Sequence, residues 1–155
     1  MHPFLQLFFE GLNYLKEEKF INYNVQRKAV LLSQYLVNGE TENPEHILLL
    51  NKIICGFPLE QSIELKLKLL KEEKEESENL LKAILKHWSA LKSTSVKGLR
   101  ESFLERDGKI TDKDEYWLLQ VEQKSYDVLL SFLPWSISII KLPWMEKRIV
   151  VQWNS

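Results

Sequence analysis

The apolar residues of this chain change their spacing partway along, and that change restricts the fold more than any other feature. Up to about Leu91 they recur every three or four residues, the period of an amphipathic helix. After Ser93-Thr94-Ser95 they come in short alternating or β-branched runs, the pattern of half-buried strands. Helices followed by strands, rather than interleaved with them, define an α+β protein. The expected architecture is a mainly α-helical N-terminal two-thirds, about residues 1–103, with a small antiparallel β-sheet formed near the C-terminus, about 104–155. With 155 residues the chain is long enough to bury one core, so a single domain over 1–155 is expected.

Within the helical part, Phe4, Leu5, Phe8, Leu12 and Leu15 form a first stripe, with Pro3 tolerated in the opening turn. Val25 to Leu36 gives a second, stopped by Asn38-Gly39. Asn43, Pro44 and Glu45 read as N-cap, first helical residue and first-turn acid of a third helix, closed by Gly56 and Pro58. The longest helix is expected from about Lys71 to Leu91. Its charged first turns read as a solvated end, and Leu80, Leu81, Ile84, Leu85, Trp88 and Leu91 read as its buried face. Ser95 then caps a short helix through Leu99 and Phe103.

Beyond it, Asp107-Gly108 reads as a tight turn joining Phe103–Arg106 to an extended Lys109-Ile110. Trp117–Glu122, Ser136–Leu142 and Ile149–Trp153 read as strands, and Ser125–Phe132 as a short helix ended before Pro134.

Site chemistry is hard to find. The three histidines, His2, His46 and His87, share no ligand spacing with each other or with Cys55, so no zinc set is recognisable. The five glycines stand alone, so there is no phosphate-binding loop, and no nucleophile elbow occurs. Asp107, Asp112, Asp114 and Glu115 do not match a calcium loop, because Gly108 and Lys109 fall where it needs other residues. His87-Trp88 reads as a helix-end histidine beside a core tryptophan, and Cys55 as a small buried hydrophobe. No catalytic residue, metal or cofactor is therefore expected. A net charge of −1 points to neither nucleic acid nor an anionic membrane as partner. With one cysteine, no long apolar span and no signal-peptide pattern, the chain reads as soluble and intracellular.

What the chain does have is tryptophan. Leu-Pro-Trp occurs twice, at Leu133–Trp135 and Leu142–Trp144, nine residues apart, and Trp153 follows nine after Trp144. The two prolines must bound a strand rather than lie inside one. The rings either seat a small sheet on the helices or form an exposed anchor for another protein. If there is a contact surface, Trp135, Trp144, Met145 and Trp153 are its candidates, since Trp and Met are enriched at interfaces.

The stretch Leu133–Met145 also resembles the closing signature of contractile injection system tape measure proteins. So do His87–Leu104, Leu50–Gly56, the opening His2-Pro3-Phe4-Leu5 and the turn Arg106-Asp107-Gly108, which together extend the resemblance over nearly the whole chain. It is similar to the C-terminal region of such proteins. The resemblance implies a part of a phage-tail-like machine, working within an assembling particle in the bacterial cytoplasm. A tape measure occupies the lumen of the growing inner tube and sets its length. Its implied partners are inner-tube, baseplate or spike proteins, and it implies no reaction and no cofactor. One helix of 155 residues would reach only roughly 230 Å, and a compact fold much less. The expectation is therefore the terminal domain of a longer ruler, or a short paralogue that anchors or caps. The competing readings are a free-standing helical adaptor or scaffold unrelated to length control and, more remotely, a small enzyme, which would need a pocket with converging polar groups.

Overall fold

The computed structural model describes residues 1–63, 68–91 and 93–154. Lys92, inside one of the motifs above, lies outside the described residues. The contacts divide the chain into two compact units: Met1–Leu80 with Leu142–Glu146, and Leu81–Lys141 with Lys147–Ser155.

The first unit opens with α1 (His2–Gly11), which has Pro3 in its first turn and buries Leu5, Phe8 and Phe9. The apolar stripe runs on to Leu15, but the helix stops at Gly11. Asn13 turns the chain with φ 61°, and Leu15 begins a hairpin instead. The hairpin pairs β1 (Leu15–Lys16) with β2 (Lys19–Phe20) through Leu15↔Phe20 and Lys16↔Lys19. Its two turn residues, Glu17 and Glu18, have φ of 53° and 64°, the left-handed region that such two-residue turns demand.

Next, α2 (Tyr23–Asn38) begins where the Asn22 side chain accepts from the Val25 N–H at 2.9 Å. It ends at Gly39, whose φ of 71° only glycine adopts freely. The third helical region is a 3₁₀ turn, Glu45–Leu48, followed by α3 (Leu49–Ile54). Pro44 rather than Asn43 occupies the capping position. Asn43 is buried and engaged elsewhere, accepting from Asn38 Nδ2 at 2.8 Å and donating to the Glu40 carbonyl at 3.3 Å. The helix α4 (Lys71–His87) contributes its N-terminal half to this unit.

The second unit holds the C-terminal half of α4 and a 3₁₀ turn, Ser89–Leu91. It continues with α5 (Val96–Leu99), whose Ser95 cap accepts the Gly98 N–H at 3.0 Å, and a π-helical turn, Arg100–Leu104. Four strands follow: β3 (Gly108–Asp112), β4 (Trp117–Glu122), β5 (Ile139–Ile140) and β6 (Ile149–Asn154), in the order β3-β4-β6-β5. A 3₁₀ helix, Ser125–Phe132, lies between β4 and β5 in sequence.

The α+β class holds, but the expected arrangement of its sheet needs correction. Sheet structure is not confined to the region near the C-terminus, because the β1–β2 hairpin lies within the first twenty residues. Nor is the C-terminal sheet purely antiparallel. β4 and β6 run parallel from Trp117↔Ile149 to Glu122↔Asn154, flanked by the antiparallel pairs β3–β4 and β5–β6. The parallel step is possible because some 26 residues separate β4 from β6, enough for the crossover that parallel strands require. The turn expected at Asp107-Gly108 is also displaced. Gly108 starts β3, and the reversal comes after Asp112, where Asp114 has φ 66°. A Cβ on Gly108 would meet the Gln120 carbonyl oxygen at 3.0 Å, so this glycine lets two backbones approach.

Candidate interaction surface

The four residues nominated from the tail fall into different surroundings. Leu142–Met145 closes as a turn, the Met145 N–H donating to the Leu142 carbonyl at 3.0 Å, with Pro143 in the position where its fixed φ helps. The turn belongs to the first unit. There the Trp144 ring meets Phe9 at 5.9 Å and Phe20 at 5.1 Å between centroids, within the range of favourable edge-on aromatic contact. Its indole Nε1 donates to the Ile54 carbonyl at 2.7 Å. Gly56 lies directly below, with φ 63° and an imagined Cβ only 2.7 Å from the Trp144 carbonyl oxygen. The Gln26 side chain donates to the Cys55 and Gly56 carbonyls at 2.9 and 3.0 Å and holds that loop in place. Met145 is 4% exposed. Burial pushes the neighbouring Cys55 thiol up to about 12, so it has no thiolate character at neutral pH.

Trp153 and Trp135 belong to the second unit, and both are half-buried. Trp153 is part of a cluster built around Arg106. That guanidinium pairs with Asp127, the Nη1–Oδ2 bond being 2.9 Å, and also donates to the Glu122 carbonyl at 3.0 Å and the Ser102 carbonyl at 2.9 Å. Its carbon lies 5.4–5.6 Å from the ring centres of Phe103, Tyr126 and Trp153. Burial alone would raise the Asp127 carboxyl, but Arg106 and the Lys124 N–H bring it below the usual carboxylate range. Trp88 closes the far side, its Nε1 donating to the Leu129 carbonyl at 3.1 Å and its ring 4.8 Å from Phe103.

Beside this cluster opens a groove of about 780 Å³, lined mainly by Ser125, Val128, Leu130, Ser131, Ile137 and Trp153. Val128 and Phe132, on the 3₁₀ helix, are exposed to 66% and 61%. Trp153 Nε1 is buried and has no hydrogen-bond partner among the described residues.

The sequence reading missed a second constellation. Glu73, placed in the charged and supposedly solvated start of α4, is 4% exposed. It accepts from the Tyr14 hydroxyl, from Lys28 Nζ at 2.8 Å and from the Leu70 N–H at 2.7 Å. Burial would raise its pKa, but these donors hold it below the usual carboxylate range. Burial, with the Glu73 carboxylate beside it, drives the Tyr14 hydroxyl well above its ordinary value. The signal was periodic: Glu73, Ser77, Leu81, Ile84 and Trp88 are one buried stripe, and its polar members hid its beginning.

Among the described residues, no three or more His, Cys, Asp or Glu converge on a possible metal position, and no helix is long and apolar enough to cross a membrane. The described residues form folded α+β units with aromatic clusters. The family model for contractile injection system tape measure proteins matches residues 1–153, and the chain belongs to that family. No curated protein and no solved structure gives a match. Membership makes this chain a component of a tail-like particle, working alongside the other components of that particle.

Proposed function

We propose that this chain is a non-catalytic assembly module of a contractile injection system, the terminal folded part of a length-setting protein, which contacts inner-tube, baseplate or spike proteins as the particle forms in the bacterial cytoplasm. The single observation carrying this is the family match over essentially the whole chain. The fold supports a docking role over a ruler role. The longest helix, α4, has 17 residues and so measures only about 25 Å, and the chain is packed into compact units rather than drawn out.

Of the four tail residues, Trp135 and Trp153 are the contact residues in this reading, and Trp144 with Met145 belong to the packing of the first unit. All three tryptophans are half-buried, but the Trp144 indole is bonded to the Ile54 carbonyl and Met145 is buried, which favours that division. Purified tube and baseplate subunits should co-purify with the chain. Replacing Trp135 and Trp153 together with Ala should reduce that co-purification while leaving a cooperative thermal transition. Deleting the gene should alter tube length or block assembly, and normal particles from the deletion strain would end the proposal. Capture of unrelated partners in place of tube or baseplate would move the assignment to a free-standing adaptor.

A further inference from the structure

The β6 strand is paired along its whole length on only one side. Toward β4 it is matched from Ile149 to Asn154, but toward β5 only Ile149 and Val150 have partners, with one more bond from the Val151 N–H to the Ser138 carbonyl at 2.8 Å. The direction of the main-chain groups follows from two bonds. The Arg148 carbonyl accepts from the Trp117 N–H on the β4 side, and Val151 donates on the β5 side. Alternate residues of a strand face alternate sides, so the Trp153 N–H and carbonyl face the β5 side, beyond the point where β5 has ended. No backbone bond to either group is found there among the described residues. The same residue has a buried indole N–H without a partner, and its ring lines the groove. A buried donor is rarely left unpaired, and here it lies beside a main-chain N–H and carbonyl on an open sheet edge, so the residue offers a site for main-chain atoms.

The chemistry of the occupant can be narrowed further. Both charged residues of the groove are already neutralised: Lys124 pairs with Glu122 at 2.8 Å, and Asp127 pairs with Arg106. Such a lining matches an uncharged segment. The neighbouring part of this edge is covered by Ser138, Ile139 and Ile140, an uncharged run, which shows what kind of strand β6 accepts. At the opposite edge of the sheet, β3 carries Lys109 and Asp112, with Lys147 held against Asp112, and charged edges resist added strands. We propose that the open edge of β6 at Trp153 receives an extended, uncharged segment of a partner protein, which adds to the sheet in continuation of β5. This rests on the assembly reading for the source of the segment, but not for the geometry of the edge.

The test uses the ¹⁵N-labelled full chain and an end-blocked peptide of sequence Ser-Ile-Ser-Ile, followed through the Trp153 main-chain amide and indole resonances. Both should shift saturably, and a peptide with proline in its centre should bind at least about tenfold more weakly, since it lacks a donor for the ladder. Trp153→Phe keeps the ring but removes the indole donor and should weaken binding about three- to tenfold, the usual worth of one hydrogen bond. The dispersion of its spectrum reports whether that variant is folded. Absence of saturable shifts at Trp153, shifts confined to β3, displacement of Ile139 and Ile140 from β6, or unchanged affinity of Trp153→Phe would each overturn the proposal. A purified tube or baseplate subunit serves as the second probe. If it binds and the Trp153 amide stays unprotected from hydrogen exchange, the edge proposal fails and the assembly reading stands. If the peptide binds at Trp153 but no subunit binds the chain, the reverse holds.

Discussion

Each unit gathers aromatic rings around a tryptophan of the tail, yet the two tryptophans are treated in opposite ways. In the first unit Trp144 has rings on two sides, a carbonyl for its indole, and a glycine cleared beneath its backbone. In the second unit Trp153 is held by a cation on one face, while its buried indole has no partner among the described residues and its main chain faces an open sheet edge beside a groove. Spacing in sequence is the same, nine residues, but the role is not. A tryptophan whose indole is answered anchors its surroundings, whereas one whose indole is unanswered has capacity to spare.

The contrast can be broken most forcefully at Arg106. Replacing it with Ala leaves the Asp127 side chain buried with no cation beside it and only the Lys124 N–H to answer it, which should cost about 3–5 kcal/mol and show as a large fall in the urea midpoint. If the cost is under about 1 kcal/mol, the second cluster is not organised by this ion pair. Next in size is Gly56→Ala, which adds a Cβ against the Trp144 carbonyl at a positive φ and should cost about 2 kcal/mol in the same measurement. A paired experiment sharpens the difference between the two rings. Trp144→Phe orphans the Ile54 carbonyl and should cost about 1–2 kcal/mol, whereas Trp153→Phe removes a donor that has no partner and should cost less than about 1 kcal/mol. Equal losses would erase the distinction.

The smallest effect is expected in mild acid. Glu73 and Asp127 both have pKa values depressed by folding, so their stabilisation is complete above the unfolded carboxylate range and is lost as pH falls through the folded values. The difference in urea midpoint between the parent chain and Glu73→Gln should be flat near neutrality and shrink from about pH 5 downward. It is superimposed on a decline from about pH 8 downward caused by the Met1 amino group and His2, whose pKa values burial lowers to about 5 and about 4. Glu73→Gln should be less stable at pH 7 and show a shallower decline.

Much of this was legible where local chemistry is decisive. Gly39 after Asn38 and Ser95 before α5 behave as their residue types require, whereas the strand expected over Ser136–Leu142 between the two prolines shrinks to Ile139–Ile140. The hairpin was invisible because its turn is Glu17-Glu18, without the glycine or asparagine that usually marks positive φ. The parallel pairing of β4 with β6 was unreadable for another reason: nothing in either strand encodes which distant strand lies beside it. The two Leu-Pro-Trp copies show the limit most clearly. The second closes into a hydrogen-bonded turn followed by the buried Met145, and the first, followed by exposed Ser136, makes only a bend. As for the site, the tryptophans were visible in the sequence as candidates, but their division into hydrogen-bonded and unpartnered indoles was not, because it depends on residues far along the chain, such as Ile54, 90 positions from Trp144, and Arg106, 47 from Trp153.

The excursion of Leu142–Glu146 into the first unit has a consequence for how the protein is made. A ribosome releases residues 1–80 well before residue 142 exists, so for that interval Phe9, Phe20 and the Ile54 carbonyl await a side chain still being synthesised. Completion of the earliest part of the chain is thereby timed by one of its latest parts, and no single cut yields both halves intact.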